Sequence, residues 1–138
     1  MNAARYLRRA HASAIMALTS GYNRHPDEYM HFEAAKYYIH HFFPPEIGDP
    51  SVANSYSYWG VSYLNYFWIE YFLAGKFAFL LSPFVSNELI AVRFFNVFLF
   101  FSLAVFFLYR SKADNDELIV PCFLLITPQV WYIFSYTN

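Results

Sequence analysis

Apolar positions along the 138 residues fall into a weak first group and three longer runs, interrupted by one long polar excursion and one short polar hairpin. From Ala10 to Gly21 the apolar run is broken by His11, Ser13, Thr19 and Ser20, and it is shorter than the roughly 20 residues that cross a bilayer. Arg5, Arg8 and Arg9 precede it with no acid among them, the bias of a cytoplasmic flank. Residues 1–24 therefore read as a signal peptide with a poor apolar region, or as such a flank carrying a degraded first membrane segment. The second reading is favoured because no convincing small-x-small cleavage site precedes His25.

Residues 26–43 predict an amphipathic helix lying on the membrane surface. Pro26 suits a first helical position, Asp27 and Glu28 fall where the helix dipole favours negative charge, and Pro44-Pro45 stops the run. Met30, Ala34, Tyr37, Tyr38 and His41 recur at spacings of three and four, making one stripe. From Glu46 to Trp59, Gly48, Asp49, Pro50, Asn54 and three serines read as loop. Residues 25–60 thus form one outer-face excursion, and 61–138 a helical membrane region.

Three runs make up that region. Residues 61–85 are long enough to span but contain Asn65, Glu70, Lys76 and Pro83, an expensive set for lipid-facing positions, so the segment either spans or dips in and returns. Residues 89–109 carry Arg93 as their only charge and give a helix of about 31 Å, a full crossing. Residues 118–134 have no charge but contain Pro121 and Pro128, so a kinked helix is expected. The hairpin at 110–117 carries Arg110 and Lys112. A returning 61–85 keeps this hairpin inside, as the positive-inside tendency prefers, and puts the excursion and the last four residues on the outer face.

Composition sharpens this picture. The chain is 58% hydrophobic and 14% charged, whereas soluble domains carry about 45–50% apolar and about 25% charged residues, so the expected class is an all-α integral membrane protein in contact with a lipid bilayer. A net charge of -1 leaves no basic excess for phosphate neutralisation, which argues against nucleic acid as a partner. The single Cys122 excludes an internal disulfide and a multi-cysteine metal site.

The densest polar cluster is His25, Asp27, Glu28, His31 and Glu33, in which Asp27 and Glu28 lie four and three positions before His31 on one helix face. Such a group suits a general base or a divalent metal, although acids after a helix-starting proline are also ordinary complements of the dipole. No cofactor is implied. The aromatic stretch Tyr56, Tyr58, Trp59, Tyr63, Tyr66, Phe67, Trp68 and Tyr71 reads first as an interfacial belt and second as a wall for a sugar ring or lipid headgroup. Glu70 and Lys76 are ionisable groups in an apolar segment and hence candidates for binding, and Arg93 suits a lipid phosphate or snorkelling to the interface.

At HPDEYMHFEAAKYY (25–38), ELIAVRFFNVFLF (88–100) and LITPQVWYIFSYTN (125–138) the chain resembles the N-terminal part of GT-C-fold membrane glycosyltransferases. Within that fold the resemblance is to bacterial proteins grouped with the dolichyl-phosphate-mannose protein mannosyltransferases and the lipid A aminoarabinose transferases. The resemblance implies a fragment with two to four membrane helices in a bacterial inner membrane, its active face outward. It also implies transfer of a sugar from a polyprenyl-phosphate donor to an acceptor. By this resemblance Asp27 is the catalytic base or acceptor-positioning acid, with Glu28 supporting it, and Lys76 and Arg93 are the candidates to meet the departing phosphate; His31 and Glu70 join them as substrate-binding candidates on the residue reading alone. The alternative is a non-catalytic membrane protein that binds a lipid-linked glycan or an assembly partner.

Overall fold

A computed structural model describes residues 3–24 and 27–110, together with Phe134 and Thr137. The expected helix over 118–134, most of the polar hairpin, His25, Pro26 and Cys122 lie outside the described residues. Those described are helical with no strand: α1 (Ala3–Thr19), α2 (Glu28–His40), α3 (Ile69–Leu81) and α4 (Glu88–Arg110), with 3-10 turns at Pro50–Ser55 and Tyr63–Asn65.

α4 contains the 20-residue stretch Glu88–Phe107, long and apolar enough to cross a membrane, and only a third of its most apolar part is covered by the rest of the described chain. Asn87 starts it, its side-chain oxygen accepting from the backbone N–H of Ile90 at 3.2 Å. Phe98, Phe101, Val105 and Phe106 are exposed along it, an arrangement suited to lipid rather than water. α1 is a 17-residue helix of about 26 Å that packs along α4, although its polar interruptions had suggested only a remnant.

Residues 61–85 are not one continuous helix. Their first eight residues are loop and 3-10 turn, and α3 has 13 residues, about 20 Å, too short to cross alone. Pro83, two residues past the end of α3, closes it off, and Ser82 caps it by donating to the Phe79 carbonyl at 2.8 Å. The reason for the close fit of α3 lies at Gly75, where a Cβ atom would come within 2.5 Å of the Ala35 carbonyl oxygen and 2.8 Å of Tyr38. With Ala34, Ala35, Ala74 and Ala78 all buried, small residues let the α2 and α3 backbones meet.

That contact changes the reading of α2. Glu28, Met30, Phe32, Ala34, Ala35, Tyr38 and Ile39 are all buried, so the helix is clasped on two sides by α3, α4 and the 3-10 turns. It does not lie on a surface with one apolar stripe. His41, placed in the expected stripe, is exposed beyond the helix end and stacks on Tyr37 at 4.1 Å.

Candidate functional site

Two of the residues singled out by sequence, Glu28 and Arg93, are bound to each other in the interior. Arg93 Nε donates to Glu28 Oε1 at 2.8 Å and Nη2 approaches the same oxygen at 2.7 Å. The guanidinium also donates to the carbonyls of Ala17 (3.0 Å), Ser20 (2.7 Å) and Gly21 (3.1 Å). Ala17 lies in the last turn of α1 and Ser20 and Gly21 follow it directly, so Arg93 closes the C-terminal end of α1 while holding the first turn of α2. All five N–H groups of the side chain are engaged within the chain, and it is 1% exposed. Arg93 therefore neither snorkels nor presents a donor to a lipid phosphate. Glu28 is 0% exposed and its Oε2 has no partner among the described residues.

Asp27 behaves differently. It stands at the N-cap of α2 in the left-handed region (φ 56°), unfavourable for a residue with a Cβ, and its side chain makes no capping hydrogen bond. Its backbone carbonyl alone accepts from Met30 N (3.0 Å) and His31 N (3.4 Å). The carboxylate is exposed at the mouth of the helix rather than consumed by it.

One turn further on, His31 is the point where three elements meet. Its Nδ1 shares a 2.7 Å hydrogen bond with the Tyr71 hydroxyl of α3, and its ring stacks on Tyr63 of the second 3-10 turn, 4.5 Å between centroids and 19° between planes. Burial lowers the pKa of His31, against the charges of Asp27, Glu28 and Glu70, which favour the protonated ring. The Tyr71 hydroxyl is pushed up, first by burial and then by Tyr63 and Glu70, so it stays protonated. A neutral imidazole beside a neutral phenol can relay a proton or fix a hydroxyl, with three carboxylates, Asp27, Glu28 and Glu70, in electrostatic reach.

Tyr71 and Glu70 also line a cavity of about 250 Å³ between α3 and α4, together with Asn96, Thr137 and the apolar Val92, Phe95, Leu99 and Phe134. The buried Thr137 hydroxyl has no hydrogen-bond partner among the described residues. Polar groups on an apolar wall at this small volume suit a compact, hydroxyl-bearing ligand.

Lys76 lies apart from this group, its ammonium 3.8 Å from the centroid of the Phe42 ring and 5.7 Å from that of Phe72. Glu33 lines a separate pocket with Lys36, His40 and His41. Among the described residues no three His, Cys, Asp or Glu side chains converge as a metal site, and His25 of the sequence cluster lies outside them.

The aromatic stretch divides in two. Tyr56, Tyr63 and Tyr71 turn inward, Tyr56 donating to Asn65 Oδ1 and accepting from Gly48 N, both at 3.2 Å. Tyr58, Trp59, Tyr66, Phe67 and Trp68 remain exposed. Sequence spacing had not singled out Tyr63 and Tyr71 as the partners of His31, because 32 and 40 residues of chain separate them from it. Compared with protein-family models, with curated proteins and with solved structures, the chain matches none.

Proposed function

We propose that this chain forms part of a GT-C-like glycosyltransferase of two to four membrane helices, which moves a sugar from a polyprenyl-phosphate donor to an acceptor hydroxyl at the outer face of a bacterial inner membrane. The observation that carries the reading is Asp27: a carboxylate held in a left-handed backbone, with no capping role, one turn from the His31–Tyr71 pair. Backbone conformations of this kind persist where the surroundings impose them and concentrate at functional sites.

In this mechanism Asp27 takes the proton of the acceptor hydroxyl as that oxygen attacks the anomeric carbon. The bond from this carbon to the donor phosphate oxygen breaks, and the lipid phosphate leaves with the electron pair. His31 and Tyr71 orient the sugar hydroxyls, and Glu70 accepts a hydrogen bond from the ring in the cavity. Glu28 and Arg93 serve this site by fixing α1, α2 and α4 around it, in place of a direct role.

A binding role without chemistry is the second reading, favoured by the engagement of all five Arg93 donors inside the chain. Transfer from a polyprenyl-phosphate sugar, measured in proteoliposomes for the wild type, Asp27→Asn and the control Glu33→Gln, separates the two. General-base catalysis contributes about 10²–10⁴-fold, so Asp27→Asn should lose transfer on that scale while Glu33→Gln keeps it. Retention of more than about a tenth of the wild-type rate by Asp27→Asn would remove the catalytic role.

A further inference from the structure

We infer that the turn at Ser57–Gly60 is a lipid-facing anchor whose aromatic tip sits in the headgroup region of the bilayer. Tyr58 is 93% exposed and Trp59 84% exposed, packed edge to face against each other at 5.4 Å. Tight turns in contact with water ordinarily carry small polar residues at their tips, and this one carries two of the largest amphipathic side chains.

The turn is built to hold them there. Gly60 N donates to the Ser57 carbonyl at 2.9 Å, Ser57 N donates to the Val61 carbonyl at 2.8 Å, and Val61 N donates to Ser57 Oγ at 3.2 Å. Gly60, at φ 71°, takes the left-handed conformation that closes the loop. Below the turn, Ser62 Oγ accepts from Leu64 N and pairs with Ser55 Oγ at 2.6 Å, tying the turn to buried Leu64 and Val52. Backbone groups paired in this way tolerate a water-poor interface at small cost.

Charge singles out the occupant. The 20 residues from Pro50 to Ile69 contain no Asp, Glu, Lys, Arg or His, so the loop offers nothing for an ionic partner to recognise. Trp and Tyr among serines and asparagines suit the boundary between headgroups and acyl chains, which is apolar on one side and wet on the other. Exposure continues through Phe67, Trp68 and Ile69 into Leu73 and Leu80 of α3. α3 in turn packs on the membrane-length α4 through Phe77 against Phe95 and Phe98. A bilayer crossed by α4 is therefore the surface on hand, and the absence of basic residues means neutral lipid suffices.

The test leaves Trp59 as the sole tryptophan by Trp68→Phe and Trp131→Phe, in the full chain reconstituted into phosphatidylcholine vesicles. Phosphatidylcholine brominated near the headgroup end of its chains should quench Trp59, and aqueous iodide should quench it several-fold less than it quenches a free tryptophan analogue. A bimane label on Tyr58→Cys in a Cys122→Ser background reports the same environment should the tryptophan replacements disturb folding. Iodide quenching equal to that of the free analogue overturns the inference. So does shielding from iodide without quenching by brominated lipid, the outcome for a protein partner or a second copy of the chain.

Discussion

Arg93 is a charge inside the helix most suited to cross a membrane, and its surroundings explain how it is tolerated: a carboxylate on one side and three carbonyls of the α1 terminus on the other. Breaking such a pair from one side leaves the other charge buried and uncompensated, at a cost of about 3–5 kcal/mol. Arg93→Met and Glu28→Gln should each lower the unfolding midpoint in detergent sharply, and the double replacement Glu28→Met with Arg93→Met should cost less than the sum of its parts. Asp27 predicts the reverse pattern. Asp27→Gly removes the Cβ from a left-handed position and should leave stability unchanged or raise it by roughly 0.5–1 kcal/mol while abolishing any base function. His31 adds a pH dependence. Burial lowers its pKa, so as pH falls the unfolded chain takes up its proton before the native one does. Its stabilisation is complete above the ordinary value of 6.5 and is lost as pH falls through the lowered native value. Unfolding midpoints followed from about pH 7.5 to about pH 5 should decline less in His31→Gln than in the wild type. The cluster around Asp27 and His31 was visible in the sequence because helical spacing is local. The Glu28–Arg93 pair was not, because its partners lie 65 residues apart and each alone resembles a ligand-binding charge.

At the scale of elements, α4 was legible nearly to its ends, since a charge-poor run followed by basic residues reports its own length. α2 and α3 were legible in existence but not in setting. The spacing of apolar residues in 26–43 fits one stripe, whereas burial on a second side comes from Ala35 and Ile39 meeting neighbours distant in sequence. Residues 61–85 have the hydropathy of a span, and only the serine and asparagine hydrogen bonds of the loop show why the helix waits until Ile69. Gly75 is the point on which this packing turns. Gly75→Leu forces a side chain against the Ala35 carbonyl and the Tyr38 backbone, so α2 must move away from α3. Overpacking of this kind costs about 1–3 kcal/mol or more. Because His31 and Tyr71 face each other across the same contact, Gly75→Leu should also reduce transfer without touching a site residue. Thermal unfolding and the transfer assay on the same preparation check both effects.

Among the described residues as a whole, the paired helices α2 and α3 pack against the first half of α4, so the His31–Tyr71 pair and the cavity lie on the Glu88 side of it. The rest of α4 extends past them with most of its apolar surface bare. The proposed function requires that α4 cross a bilayer and leave the excursion and its site at one face. Single cysteines at Ser51, Ser86 and Ser111, each in a Cys122→Ser background, test it in intact cells with a membrane-impermeant thiol reagent. Ser51 lies in the excursion, Ser86 just before α4 and Ser111 just after it. Labelling of the Ser51 and Ser86 positions from outside, with the Ser111 position labelled only after the cells are lysed, is the expected result. Equal labelling of all three in intact cells would mean that α4 does not cross, and the membrane-face site would have to be abandoned.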